Sequence, residues 1–588
     1  MLFQKNPVPS QKGRAATALR GSAISLLAAF ALVSCSAPSD QASAPAAAAK
    51  SASATPALPA EAKGVPQRVR LMTQDQYVNS LSYIFGPDLR VDTRFAPMRR
   101  TEGLLANGAA FAGVTAAQLE QYQRTASLVS GAVVDAEHRD FLIPCKPKDE
   151  KAADAACATK FLTATGRLLY RKPLPKEKVQ AVVAEANAGA EKLKDFYAGL
   201  AAALEGMLLS PDVLFITDSY EPDPKNKGKM RLDSYSLAHR LSFFLWNAAP
   251  DDAMIKAAES GEIQTPKGRE KIVNMMLASP RLETGMRAFF DDMMAFDDFN
   301  NLAKDAAIYP AFTGVTVADA REQTLRTIIN HLITENKDYR DLYTTRETFM
   351  SQALAAIYGV SATPGWTPYT FPENSGRAGI ATHVSFLAVH SHPGRSSPTL
   401  RGKALRELLL CQPVPRPPAN VDFSALENPK AEHRTQRDRV NFHLENPVCA
   451  GCHKITDPMG LAMEQFDGAG VYRLTERGNP IDPSGSLDGK NFKDAVGLSQ
   501  ALHDHPALTS CLVKRIYSYG TGGPTTRDDQ PLLTYLNTRF AEQGYRLPDL
   551  LRTITLSPTF SEVIPPAVNE KAGEKTASVE QKIAAQAN

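Results

Sequence analysis

The stretch NPVCAGCHKITDPMG, residues 446–460, places Cys449, Cys452 and His453 in a C-x-x-C-H array. Two thiols at this spacing can each bond one vinyl group of a porphyrin, and the histidine that follows then reaches the iron as its proximal ligand. All three residues serve one function, so the array predicts one covalent haem c. A tetrahedral zinc site completed by the distant His443 is the alternative, although the chain has no second C-x-x-C pair.

The N-terminal region has the features of a secretory signal. Four basic residues precede the apolar run SAISLLAAFALVSC (22–35): Lys5, Lys12, Arg14 and Arg20. The run is too short to span a bilayer as a permanent helix. Its end resembles a bacterial lipobox, which predicts that residues 1–35 are a lipoprotein signal peptide and that Cys35 carries the lipid. Ser36 favours the outer membrane, so we expect a periplasmic, lipid-anchored protein; an ordinary cleaved signal is the alternative.

The cysteines that remain after these assignments are even in number. They are Cys145, Cys157, Cys411 and Cys511. In an oxidising periplasm we expect such a remainder to pair, and four cysteines allow three connectivities. We favour the pairs Cys145 with Cys157 and Cys411 with Cys511. The second bond would enclose the haem motif in one loop. Buried free thiols are the alternative.

Composition and periodicity divide the chain into segments. Residues 36–64 form an Ala/Ser/Pro-rich tether with too few large apolar residues to fold, and 567–588 form a polar, disordered tail. Between them we predict an N-terminal helical domain (65–225, with helices near 116–134, 155–170, 175–191 and 194–209), a central helical domain (226–360), a haem-binding segment (361–490) and a C-terminal helical domain (491–566). The predicted fold class is mainly α: consecutive helical domains with a cytochrome c-like haem segment near the C-terminus.

Local patterns predict particular helix starts and core faces. Thr73 and Asp233 stand where N-caps are expected. The helix after Asp233 has an apolar stripe made of Leu237, Leu241, Phe244 and Leu245. A later helix repeats the pattern with Leu325, Ile328, Ile329, Leu332 and Ile333. A methionine cluster is expected to fill the core rather than bind metal: Met275, Met276, Met286, Met293 and Met294.

Several longer stretches resemble the multi-domain, planctomycete-type c cytochromes of unknown function. They include RLSFFLWNAAPDD (240–252), FLAVHSHPGRSSPTLRGKALRELLLCQPVP (386–415), CAGCHKITDPMGLAMEQFDGAGVYR (449–473) and CLVKRIYSYGTG (511–522). The resemblance covers nearly all of the mature chain and implies the domain-of-unknown-function families 1587, 1595, 1592, 1588 and 1585 in succession. It supports the haem and the domain order but implies no substrate.

The sixth iron position needs a candidate ligand. His392 precedes Pro393, which favours extended backbone, and it coincides with a His-Pro position of the resembled family, so it is the preferred distal ligand. Met459 is a weaker candidate, because a residue so close to His453 has a short path around the porphyrin edge. Met463, His390, His383 and His443 are further possibilities. Arg395, Arg401 and Lys403 are candidates for pairing with the haem propionates.

Four other polar residues follow the motif: Asp457, Glu464, Asp467 and Arg473. Such a set is compatible with an acid/base pair or a calcium site, but we expect a hydrogen-bonded scaffold that orients the haem crevice.

Composition and the haem motif together define the expected function. The formal net charge is +3 with acids and bases intermixed, which gives no indication of nucleic-acid binding. We expect periplasmic electron transfer with an unidentified redox partner protein, in a chain held to the membrane by its lipid anchor. Because far more chain precedes the motif than an electron shuttle requires, a haem-dependent oxidase or peroxidase with an open sixth position is an alternative. A surface binding module with a structural C-x-x-C-H is another.

Overall fold

A computed structural model describes residues 58–89, 91, 93–96, 98–361, 363–415, 434–445 and 447–566. Within them the chain is mainly helical with few and short strands, which confirms the mainly α class. The predicted signal peptide with Cys35, the tether up to residue 57 and the tail at 567–588 lie outside the described residues. In the described part, no helix is both long enough and apolar enough to cross a membrane.

The N-terminal helices surround a hydrophobic core of their own. They are α1 (Gln74–Phe85), α3 (Ala116–Val134), α4 (Arg139–Leu142), α5 (Ala155–Leu169), α6 (Lys176–Leu193), α7 (Phe196–Leu208) and α8 (Pro211–Leu214). The short helix α2 (Leu105–Gly108) instead contributes Ala106 to the larger core described next. The four helices predicted here occur within two residues of their expected ends. Thr73 caps α1 as predicted, because its side chain accepts a hydrogen bond from the Gln76 amide.

The rest of the described chain shares a second, larger core. Its helices are α9 (Ser234–Trp246), α10 (Asp252–Glu259), α11 (Pro266–Leu277), α12 (Arg281–Met293), α13 (Gly314–Ile329), α14 (Gln352–Tyr358), α15 (Val384–Val389), α16 (Pro398–Ala404), α17 (Gln436–Leu444), α18 (Pro447–Leu461), α19 (Ala495–His503), α20 (Pro506–Thr521), α21 (Gln530–Glu542), α22 (Leu547–Leu556) and α23 (Pro558–Ser561). Residues of all three predicted segments after 226 contribute to this one core.

Helix α9 shows how the sequence produces this core. Asp233 caps it by accepting a hydrogen bond from the Ser236 amide at 2.6 Å, and all four residues of the predicted stripe are buried. Four of the five clustered methionines are also buried, as predicted. Met275 is the exception: its side chain is 42% exposed because it lies on the outer face of α11.

Within the described residues, the strands pair into one four-stranded sheet and four two-stranded sheets. They are β1 (Val65–Pro66), β2 (Val69–Leu71), β3 (Phe215–Thr217), β4 (Tyr220–Pro222), β5 (Met230–Leu232), β6 (Glu347–Met350), β7 (Thr367–Thr370), β8 (Thr475–Glu476), β9 (Asn479–Pro480), β10 (Gly485–Leu487), β11 (Lys490–Phe492) and β12 (Glu562–Ile564). The four-stranded sheet has the order β1-β12-β5-β4, with β1 and β12 parallel. It therefore joins the beginning and the end of the described chain.

Two disulfides cross-link the fold, and both confirm the favoured pairing. Cys145 is bonded to Cys157 in the N-terminal part. Cys411 is bonded to Cys511, 100 residues further along the chain. The second bond joins the end of the segment after α16 to helix α20, so the C-x-x-C-H motif lies inside the loop that this disulfide closes.

Candidate haem site

The C-x-x-C-H motif lies on helix α18. Cys449 lies three residues before Cys452 and four before His453, so the turn of the helix places the three side chains on one face. Both thiols are unbonded and partly accessible, whereas the other cysteines of the described chain are paired in disulfides. Two free thiols beside an imidazole fit the covalent attachment of one haem.

The imidazole of His453 is held by a carboxylate on the same helix. His453 Nδ1 lies 2.5 Å from Asp457 Oδ2, and the Asp457 side chain is only 1% exposed. The Thr456 hydroxyl lies 3.0 Å from the other carboxylate oxygen of Asp457. Because Nδ1 is occupied as the donor, Nε2 is the nitrogen with a free lone pair, as a haem ligand requires.

Helix α16 fixes the position of α18 by close backbone contact. A Cβ atom on Gly402 would lie 1.9 Å from the Thr456 carbonyl oxygen, and one on Gly460 would lie 1.8 Å from the Pro398 carbonyl oxygen. Neither position has room for a side chain. These two glycines therefore allow the backbones to meet and set the register of the Thr456–Asp457 pair.

A buried arginine holds the chain that follows α18. Arg401 is fully buried and donates to the carbonyl oxygens of Met463, Phe466 and Asp467 at 2.8, 2.7 and 2.5 Å. Burial lowers the pKa of Arg401 to about 10, so the guanidinium stays charged at neutral pH. Its nitrogens are directed at the protein interior, which removes Arg401 from the candidates for pairing with haem propionates.

The polar residues after the motif form the expected scaffold. The Ser396 hydroxyl donates to buried Glu464 at 2.7 Å, and Arg473 lies 3.2 Å from the same carboxylate oxygen. Burial raises the pKa of Glu464 despite these partners. Asp467 accepts hydrogen bonds from the Ala469 and Val471 amides. Among the described residues, no group of three or more His, Cys, Asp and Glu side chains is arranged to hold a metal ion.

His443 lies against the proximal imidazole. Its ring stacks on that of His453, with centroids 5.3 Å apart and 14° between the planes. Two axial ligands of one iron point nitrogen edges at each other across the metal, whereas these rings face each other. If His453 binds a haem iron, His443 would therefore lie beside that ligand rather than on the opposite side of the metal.

The preferred distal candidate lies in the loop between α15 and α16. His392 forms an isolated β-bridge with Arg395, and its carbonyl oxygen accepts a hydrogen bond from Lys304 at 3.1 Å. Burial, reinforced by Arg395 and Lys304, lowers the pKa of His392 and favours the neutral imidazole that ligates iron. Among the described residues, no hydrogen bond or ion pair joins His392 to α18, so its role as ligand stays a prediction.

The other candidates for the sixth position lie in different surroundings. His383 is buried, and its Nδ1 lies 3.0 Å from the Thr324 hydroxyl. Burial, with a contribution from nearby positive charge, lowers the pKa of both His383 and His390 to about 3. Met459 and Met463 are fully buried in the larger core.

A separate cavity of about 990 Å³ lies where three parts of the chain meet. It is lined by residues of the N-terminal helices, such as Asp75 and Tyr122, by Asp291 on α12 and by Tyr519 on α20. Near this cavity, Arg515 on α20 donates to the Gly103 carbonyl oxygen at 3.0 Å and to the Glu407 carbonyl oxygen, which follows α16, at 2.5 Å.

Comparison with known families identifies the chain as a protein built from consecutive domains of unknown function. Four family models match it, each described as a protein of unknown function: DUF1595 at 157–218, DUF1592 at 232–360, DUF1588 at 377–476 and DUF1585 at 488–560. The chain thus carries domains of the planctomycete cytochrome-like series, and the C-x-x-C-H motif falls within the DUF1588 match. The fifth expected domain, 1587, stays a prediction. No curated protein and no solved structure matches.

The sequence did not single out Asp457 as the partner of His453 or His443 as its neighbour. For Asp457 a signal was present, since residues four apart on a helix are neighbours. The contact with His443 had no such signal, because it depends on how α17 packs against α18.

Proposed function

We propose that the protein is an exported c-type haem protein of the planctomycete-type multi-domain cytochromes, and that it transfers single electrons in the periplasm. Its partner would be an unidentified redox protein, and Cys35 would anchor it to the outer membrane. The observation that carries this proposal is the set of groups on α18: two free thiols and an imidazole whose Nδ1 is held by Asp457. These groups are what a covalently attached, histidine-ligated haem requires.

Each residue of this set has a defined task in the proposal. Cys449 and Cys452 hold the porphyrin through two thioether bonds, and His453 Nε2 binds the iron. The haem, when bound, supplies a reversible one-electron couple. Asp457 keeps the imidazole in the required tautomer, and the buried apolar residues of α18 exclude water from that side of the helix.

The test is the pyridine haemochrome spectrum of the mature protein, made in a host that attaches haem to exported cytochromes. We expect the absorption bands of a haem with two thioether bonds, in a stoichiometry of about one per chain. A colourless protein that contains zinc would contradict the proposal.

A second function is favoured by the cavity between the N-terminal, central and C-terminal helices. Small-molecule sites are concave and occur preferentially where domains meet, and this cavity has aromatic and carboxylate groups in its wall. It is a candidate substrate site for the alternative of a haem-dependent oxidase or peroxidase, although its wall contains no residue of the predicted haem-binding segment 361–490. The ferric spectrum separates the two functions: a high-spin iron that binds cyanide readily indicates the enzyme, and a low-spin iron that resists cyanide indicates electron transfer.

His392 gives a specific prediction for the electron-transfer function. Replacing it with alanine should convert a low-spin ferric spectrum to a high-spin one, because the sixth position loses its ligand. The matched variant is His390→Ala in the same loop, which should leave the spectrum low-spin. An unchanged spectrum in His392→Ala would exclude this residue as the ligand.

A further inference from the structure

The environment of Asp457 is unusual for a carboxylate. Its side chain is buried to 1% exposure, and burying a charge is costly unless it is paired. Within the described chain, no lysine or arginine forms an ion pair with Asp457, and its side-chain partners are His453 and Thr456. The imidazole N–H is therefore the main group that compensates the buried carboxylate.

The hydrogen bond between Asp457 and His453 also affects the imidazole. The carboxylate attracts the Nδ1 proton, which leaves more electron density on Nε2 and makes it a stronger donor to a metal. Thr456 lies against the same carboxylate: its hydroxyl is 3.0 Å from Oδ1 and 3.1 Å from the Cys452 carbonyl oxygen, so the two acceptors share its one proton. The share donated to Oδ1 withdraws part of the negative charge of the carboxylate. The contact of Gly402 with the Thr456 carbonyl oxygen keeps both residues in place.

We propose that Asp457 is a positioning residue that sets the reduction potential of the haem iron by strengthening His453 as a donor, with Thr456 acting in opposition. The inference rests on the proposed function and deepens it. A stronger donor stabilises the ferric iron more than the ferrous iron, because the ferric ion carries the larger positive charge. The hydrogen bond to Asp457 thus lowers the potential, and the hydroxyl of Thr456 limits the decrease.

The experiment measures midpoint potentials by spectroelectrochemical titration of the full haem-loaded protein. Asp457→Asn keeps the shape of the side chain but removes its charge, so the midpoint potential of this variant should shift in the positive direction. Asp457→Glu restores a carboxylate and should return the potential toward the wild-type value. Thr456→Val removes the hydroxyl and leaves more negative charge on the Asp457 carboxylate, so the midpoint potential of this variant should shift in the negative direction.

Asp195→Asn is the matched control, because Asp195 is a carboxylate that accepts hydrogen bonds from the Tyr197 and Ala198 amides at the start of α7, away from α18. Its potential should equal that of the wild type. The inference is overturned if Asp457→Asn has the midpoint potential of the wild type. It is also overturned if the potentials of Asp457→Asn and Thr456→Val shift in the same direction. If Asp457→Asn takes up no haem, the Thr456→Val variant alone tests the inference: a negative shift of the midpoint potential supports it, and a positive shift or no shift overturns it. Wild-type protein without haem would instead contradict the proposed function.

Discussion

Replacing both Cys449 and Cys452 with serine should abolish covalent haem attachment. The thioether bonds need two free thiols, and these two cysteines are the unbonded ones among those described. Serine has a similar size and forms no thioether, so the fold should survive while the stained haem band in a denaturing gel disappears completely. The far-ultraviolet circular dichroism spectrum should keep its helical shape.

A matched control for this change is the double replacement of Cys145 and Cys157 with serine. This pair also loses two sulfur atoms, but it lies in the N-terminal helices and forms a disulfide. The variant should keep its haem. If it lost haem to the same extent, attachment would depend on general stability and the C-x-x-C-H assignment would lose its support.

The disulfide between Cys411 and Cys511 should make the larger contribution to stability of the two. It closes a loop with a sequence separation of 100 residues, and the chain-entropy model gives about 4.7 kcal/mol for a loop of this length. Replacing both cysteines with alanine should reduce the free energy of unfolding by up to about that amount. Guanidinium denaturation followed by circular dichroism measures it.

The bond between Cys145 and Cys157 provides the comparison. Its sequence separation is 12 residues, for which the same model gives about 3 kcal/mol. The two alanine variants should therefore differ by about 2 kcal/mol, with the Cys411/Cys511 variant less stable. Equal losses, or the reverse order, would show that strain or residual structure in the unfolded chain outweighs loop entropy.

Features encoded within one turn of helix could be predicted from the sequence. Thr73 and Asp233 each cap the helix that follows them, because the capping oxygen and its amide partner are three residues apart. The apolar stripes likewise require only helical periodicity. The residues of the C-x-x-C-H motif likewise lie close together on one helix, α18, and the haem that their spacing indicates stays a prediction.

Features that depend on packing between distant segments could not be predicted. The sequence made Arg401 a candidate for pairing with a haem propionate, yet Arg401 is fully buried because acceptors from α15 and from the chain after α18 converge on it. The stacking of His443 on His453 depends on the same kind of tertiary arrangement. The prediction that Met275 is buried was wrong, because helical spacing could not show which side of α11 faces solvent.

The four-stranded sheet has a consequence for the order in which the molecule is completed. Strand β12 is the last strand made, and it lies between β1 and β5. An emerging polypeptide cannot close this sheet until residue 564 has been delivered, whereas Cys449 and Cys452 arrive more than a hundred residues earlier. On the proposed export route, both thiols would reach the oxidising compartment before this sheet is complete, which would leave an interval for haem attachment. A chain that stops short of β12 would have both thiols and would lack the final closure.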